Sequence, residues 1–148
     1  MRLSHDQYYL AMLKLVAQRS TCVRRAVGAI IVDEKNRVLS TGYNGVPSGF
    51  QHCSAIHPCA GALDLSGDTR QCMAVHAEQN ALLQCSRLDL AHTLFVSCSP
   101  CFTCAKLLAN TSIRRVVCLE VYADPLGAFV LEQARVRIVI ADSATPGL

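Results

Sequence analysis

His76-Ala77-Glu78 and, further along, Pro100-Cys101-Phe102-Thr103-Cys104 carry the residue types of a catalytic zinc site. Zinc favours four tetrahedral ligands, and a catalytic zinc keeps one of those positions for water. An imidazole and two thiolates, from His76, Cys101 and Cys104, leave that position open. Glu78 is then a carboxylate without ligand duty, able to carry protons to and from the water. Alone, either half reads as a core histidine or as a structural or redox cysteine pair. Both halves in this order, with Pro100 ahead of the first cysteine, read as a metal centre.

The spacing states what must position these groups. A helix beginning at 100–101 sets Cys101 and Cys104 on one face of its first turn. Both thiols then sit at the positive end of the helix dipole, which favours thiolates. A second helix, over 76–87, places His76 and Glu78 at its own N-terminal end, facing the same point.

Around these, Ser4-His5-Asp6-Gln7 reads as a capping box opening a helix. Tyr9, Met12, Leu13 and Val16 follow the spacing of its buried face, and the helix ends near Ser20. The apolar run 27–32 reads as an interior strand, turned at 33–36 into a second strand over 38–43. Residues 44–71 show no periodicity but many Gly, Pro, Ser, His and Cys, the composition of a long functional loop. Strands follow at 94–98, 116–119 and 136–140, with helices at 101–110 and 126–134. A hairpin followed by alternating helices and strands argues for an α/β mixed sheet covered by helices. The helical crossover before the last strand makes the last two strands parallel.

The chain of 148 residues reads as a single domain, 1–148, with 51% hydrophobic and 17% charged residues. No apolar run approaches the roughly 18–20 residues that span a bilayer, and the first residues carry no signal peptide. That points to the cytoplasm, where nine cysteines read as metal ligands and buried thiols rather than disulfides. Cys85, Cys98 and Cys118 fall within apolar patterns and read as small core residues. The net charge of +3 is mild. Lys14, Arg19, Arg24, Arg25, Arg114 and Arg115 form no dense basic run, and would equally suit a small anionic substrate.

The chain resembles the cytidine deaminase superfamily and, within it, the deoxycytidylate (dCMP) deaminases. H-x-E…P-C-x-x-C is the signature of zinc deaminases acting on cytosine and adenine bases. The resemblance extends through Arg19-Ser20-Thr21-Cys22, Val27-Gly28-Ala29, the run from Thr41-Gly42-Tyr43-Asn44-Gly45 to Gly49, and His76 to Ala81. It implies a cytidine-deaminase-like three-layer fold with a five-stranded sheet. The implied reaction is hydrolysis of dCMP to dUMP and ammonia, feeding thymidylate synthesis, with Zn2+ as cofactor and Glu78 as proton carrier. It further implies a homohexamer activated by dCTP and inhibited by dTTP, with Mg2+ accompanying the triphosphate. The chain ends soon after its last strand, so contacts made by a longer C-terminal extension are expected to be missing.

The resemblance also distributes roles. The Ala77 backbone N–H would hold the pyrimidine O2, and the Ser99 carbonyl would accept from the amino group. Asn44 would orient the sugar and base edge, or else be a turn asparagine. Arg24 and Arg25 precede the first strand and would bind the 5′-phosphate, or remain solvated. Tyr122 would wall the nucleotide, or serve as a structural tyrosine. Gly42, Tyr43, Asn44 and Gly45 look like the triphosphate segment, since glycine permits close approach of backbone to phosphate. Arg87 falls where a residue tied to the allosteric response sits, though a charged residue at a helix end is commonly just solvated. Cys22, Cys53, Cys59 and Cys72 would hold a second, structural Zn2+ that orders the long loop, with His52 and His57 as spare donors; otherwise they are idle thiols.

Two other functions fit the metal motifs. A deaminase acting on tRNA or single-stranded nucleic acid needs a basic groove and stacking aromatics. The chain has 5% aromatic residues and no tryptophan, so no nucleic-acid partner is expected. A zinc-stabilised, non-catalytic competence or assembly protein would have no use for the unligated Glu78.

Overall fold

The computed structural model describes residues 1–66 and 70–141, which form a five-stranded sheet in the order β2-β1-β3-β4-β5. β1 is Gly28–Asp33, β2 Val38–Tyr43, β3 Ala91–Cys98, β4 Arg115–Glu120 and β5 Arg137–Ile140. β1 is antiparallel to β2 and β3, whereas β3–β4 and β4–β5 are parallel. The mixed sheet and the parallel last pair are as the alternation of elements implies.

Five α-helices accompany the sheet among the described residues: α1 (His5–Ala17), α2 (Ala60–Leu63), α3 (Ala77–Gln84), α4 (Phe102–Ala109) and α5 (Leu126–Gln133). The capping box closes as predicted. Ser4 Oγ accepts from the Gln7 N–H at 3.2 Å, and Gln7 Oε1 accepts from the Ser4 N–H at 2.9 Å. Asn36 takes a left-handed φ of 58° in the hairpin turn, a conformation asparagine tolerates well.

Strand alternation divides the core into two layers. Ile30, Val32, Phe95 and Val117 point to one face and pack on Tyr9, Leu10 and Leu13 of α1. Ala29, Ile31, Leu94, Val96, Val116 and Cys118 point to the other, against Ala77, Ala81, Ala105, Leu108 and Leu131 of α3, α4 and α5. Each fully buried Val, Leu, Ile or Phe side chain among these stabilises the fold by about 1.5–3 kcal/mol relative to exposure. Arg115 is taken up structurally, its guanidinium meeting both Asp6 carboxylate oxygens at 2.9 and 2.5 Å and tying β4 to α1.

The topology sets where ligands can enter. β3 ends at Cys98 and β4 at Glu120, and these residues are neighbours. Antiparallel β1 begins beside them, with Ala29 opposite Val96, and β2 ends opposite Gly28 at Tyr43. The segments holding Asn44, Ser99 and Tyr122 therefore leave the sheet at one end, where α/β sheets bind ligands.

Several boundaries differ from the sequence reading. α3 stops at Gln84, so Arg87 is not on it but precedes a 3-10 turn, Leu88–Leu90. α1 stops at Ala17, and β3 begins three residues earlier than expected, at Ala91. Residues 44–71 are more ordered than their composition suggests. They contain α2, and the Gly45 and Val75 backbones exchange hydrogen bonds of 3.2 and 2.8 Å that close the base of the loop. Residues 67–69 of that loop, and the chain end 142–148, lie outside the described residues.

Candidate active site

His76 caps the N-terminus of α3, Cys101 caps that of α4, and Cys104 lies buried in the first turn of α4. His76 Nδ1 is 3.5 Å from Cys101 Sγ and 3.3 Å from Cys104 Sγ. A tetrahedral zinc with sulfur at about 2.3 Å and nitrogen at about 2.0–2.1 Å would set those atoms roughly 3.6 Å apart. The triad therefore fits zinc. Among the described residues it is the group of three donors whose ligand atoms all lie within 4.8 Å of one another.

Protonation of the triad agrees with that fit. The Cys101 thiol is pulled down to about 4, chiefly by its hydrogen bond from Cys104 and then by His76. Cys104 is pushed far up, first by Cys101 and then by burial. The hydrogen bond to Cys101 raises His76. Two thiols facing each other hold one thiolate between them, and a divalent cation is what lets both ionise. Glu78 is buried at 5% exposure, and that burial pushes its carboxyl up, opposed by its own backbone N–H and by His76. A raised carboxyl with no ligand duty can both take and return a proton.

The helices are held in place by hydrogen bonds and by absent side chains. Asn80 Nδ2 donates to the Tyr43 carbonyl at 2.8 Å, and Ser40 Oγ donates to the Ala81 carbonyl at 2.7 Å. The His76 N–H donates to Gln79 Oε1 at 2.8 Å. A Cβ at Gly42 would overlap the Ala77 carbonyl oxygen, and one at Gly127 would overlap the Pro100 carbonyl oxygen. Glycine thus lets β2 close on α3, and α5 close on the turn before α4.

A cavity of about 310 Å³ opens over the triad, within the range of small-molecule sites. His76, Ala77, Glu78 and Cys101 line it together with Asn44, Ser99 and Tyr122. Arg24 and Arg25 reach its wall, but each already has a partner: Arg24 donates to the Gly61 carbonyl at 2.6 Å, and Arg25 is ion-paired with Glu120. Tyr122 is half-buried, and its N–H donates to Ser99 Oγ at 2.7 Å.

Of the residues read as a triphosphate segment, Asn44 lines this cavity. Gly42 and Gly45 are buried, and Gly45 lies against the Thr21 hydroxyl. Tyr43 is half-buried, with the Arg19 guanidinium 6.0 Å from its ring centroid. Arg87 is exposed, and its guanidinium pairs with both Asp89 carboxylate oxygens at 3.0 and 2.8 Å.

Two of the four loop cysteines reach the cavity. Cys22 and Cys72 line it, and Cys53 Sγ accepts from the Cys59 N–H at 3.3 Å. Cys59 is lowered, mainly by the Met73 N–H, while burial raises Cys72, with Cys59 and Cys22 adding to the rise. None of the nine cysteines is paired in a disulfide. His52 and His57 are exposed.

Sequence reasoning missed Cys98 as a lining residue, Glu120 as the partner of Arg25, and any duty for Ser20. Ser20 lay within the flagged run Arg19-Ser20-Thr21-Cys22. That run was the available signal.

This fold and site define a zinc-site deaminase. The family described as "Cytidine and deoxycytidylate deaminase zinc-binding region" matches residues 3–120, and the chain belongs to it. The chain is 45% identical to the deoxycytidylate deaminase of Mycobacterium phage D29, over 76% of this chain and 91% of that protein. It is 35% identical to the deoxycytidylate deaminase of Schizosaccharomyces pombe over 93% of its own length, yet spans 44% of that longer protein. A crystal structure of the dCMP deaminase from cyanophage S-TIM5, in complex with dCMP and dUMP, superposes with a TM-score of 0.78 at 32% identity. That match covers 95% of this chain and 99% of the phage chain.

Proposed function

We propose that residues 1–148 form one catalytic domain that hydrolyses dCMP to dUMP and ammonia, supplying dUMP for thymidylate synthesis. The observation that carries this reading is buried Glu78 beside a three-ligand zinc triad, at the floor of a nucleotide-sized cavity. When bound, zinc acts as a Lewis acid that lowers the pKa of its water to about 7.

His76, Cys101 and Cys104 would hold that zinc. Glu78 takes the proton released by the attacking water and delivers it to N3 of the cytosine, which makes C4 electrophilic. It then takes the second proton from the hydroxyl now on C4 and gives it to the departing 4-amino group, so ammonia leaves and the oxygen stays on C4 as the carbonyl. Proton transfer of this kind contributes roughly a hundred- to ten-thousand-fold. The Ala77 N–H, in the first turn of α3, donates to the pyrimidine O2, and the Ser99 carbonyl accepts from the amino group. Asn44 and Tyr122 wall the sugar and base, and Arg24 and Arg25 meet the 5′-phosphate by exchanging their present partners for it.

The finer parts of the reading are a homohexamer in the cytoplasm, activated by dCTP and inhibited by dTTP with Mg2+. Gly42, Tyr43, Asn44, Gly45 and Arg87 form the triphosphate site, and Cys22, Cys53, Cys59 and Cys72 hold a second Zn2+. Exposed Leu83, Phe102, Leu107 and Phe129 on α3, α4 and α5 support self-association. No helix among the described residues is long and apolar enough to cross a membrane.

Incubation with dCMP, dCTP, deoxycytidine and CMP, following loss of cytosine absorbance, tests the substrate. Fastest loss with dCMP is expected. Turnover of none of the four would refute the reading.

A further inference from the structure

Asn44 is the post around which the segment between α1 and β1 is wound. Its N–H donates to the Val27 carbonyl and its carbonyl accepts from the Thr21 N–H, both at 3.2 Å. Its side-chain oxygen accepts from the Val27 N–H at 2.9 Å, and its side-chain nitrogen donates to the Arg25 carbonyl at 2.8 Å. Ser20 completes the set. Its hydroxyl donates to the same Asn44 Oδ1 at 2.5 Å while accepting from the Cys22 N–H at 3.1 Å.

This arrangement fixes which way the Asn44 amide faces. Two donors converge on Oδ1, and one acceptor faces Nδ2. A half-turn of the amide would set N–H against N–H and oxygen against oxygen. The Val27 N–H and the Arg25 carbonyl enforce the choice, and Ser20, which does not line the cavity, adds a second hydrogen bond to Oδ1 and links it to the Cys22 N–H. The wound segment carries Arg24 and Arg25 to the cavity wall, and Asn44, at 7% exposure, lines the cavity itself.

We propose that Ser20 is a positioning residue for nucleotide binding: by bridging Asn44 Oδ1 and the Cys22 N–H it holds the 21–27 segment, and the two arginines on it, in the geometry that receives the ligand. The inference rests on the nucleotide-deaminase reading. Losing the hydroxyl leaves Asn44 Oδ1 with one donor and the Cys22 N–H without its acceptor, so the segment loosens. Ser20 touches neither Glu78 nor the metal triad, so its effect belongs to binding rather than to the chemical step.

The test measures dUMP binding by calorimetry, with kcat and KM for dCMP, for zinc-loaded wild type, Ser20→Ala and Ser20→Thr. From the worth of a single hydrogen bond, Ser20→Ala should weaken dUMP binding and raise KM about three- to tenfold while kcat stays within about twofold. Ser20→Thr, which restores the hydroxyl, should return both quantities to within about twofold of wild type. A wild type that binds no dUMP sinks the nucleotide reading itself. A wild type that binds it, with Ser20→Ala binding equally well, overturns the positioning role. So does a variant that loses kcat with KM unchanged, or a threonine no better than alanine. Should Ser20→Ala unfold below the assay temperature, Ser20→Cys, which keeps the volume but donates weakly, is judged by the same outcomes.

Discussion

Gly42 Cα lies against the carbonyl of Ala77 so closely that a Cβ at position 42 would overlap both that oxygen and the Ala81 nitrogen. The strand that ends at Tyr43 thereby sets the height of the helix whose first residues carry His76 and Glu78. Gly42→Ala should push α3 off β2, at a cost of about 1–3 kcal/mol of stability. Zinc content and deaminase activity should fall together. Chemical unfolding with metal analysis checks this, and full stability with full zinc occupancy would contradict it.

The chemistry was legible because its residues sit at helix starts, where short spacing fixes geometry. Cys101 and Cys104 share one turn, and His76 needs only to precede a helix. The strands were legible because 27–32 and 94–98 are buried on both faces and read as apolar runs. What stayed hidden depends on contacts between distant residues. Ser20 and Asn44 are joined across 24 positions, and Arg25 meets Glu120 across 95, separations that leave no periodic trace. The tight packing that calls for glycine at 42 and 127 is equally silent. Arg87 was read onto a helix that stops earlier, and α2 is too short to imprint a 3.6-residue period.

The loop cysteines predict a metal count. Cys53 and Cys59 are hydrogen-bonded, and Cys22 and Cys72 reach the cavity wall. Metal analysis should find about two zinc ions per chain in the wild type, falling to about one in Cys53→Ser. One zinc in the wild type with all four thiols open to alkylation would retire the second site.

Triphosphates should shift steady-state rates in opposite directions, dCTP raising and dTTP lowering the deamination of dCMP in the presence of Mg2+. Tyr43→Ala, which removes a side chain of the proposed effector segment, should weaken both responses. Rates indifferent to either triphosphate in the wild type would exclude this control.

Asp33 gives a pH-dependent prediction away from the site. Its carboxylate accepts from the Lys35 and Arg37 N–H groups and from the Arg37 guanidinium, contacts that hold it below its usual pKa. A depressed folded pKa stabilises above the unfolded value and loses that contribution as pH falls through the folded one. Asp33→Asn should therefore lower stability at neutral pH, with the gap to wild type constant down to about pH 5 and narrowing below about pH 4. Urea unfolding across that range reads the gap, and one that widened on acidification would contradict the assignment.

The central claim is that Glu78 carries protons and holds no metal. Glu78→Gln keeps the shape of the side chain and removes its proton transfer. Zinc per chain, measured beside dCMP turnover on the same preparation, is the most direct test. Wild-type zinc occupancy with turnover reduced at least a hundredfold is the predicted result. Turnover above roughly a tenth of the wild-type rate, or loss of zinc with the carboxylate, would contradict the account.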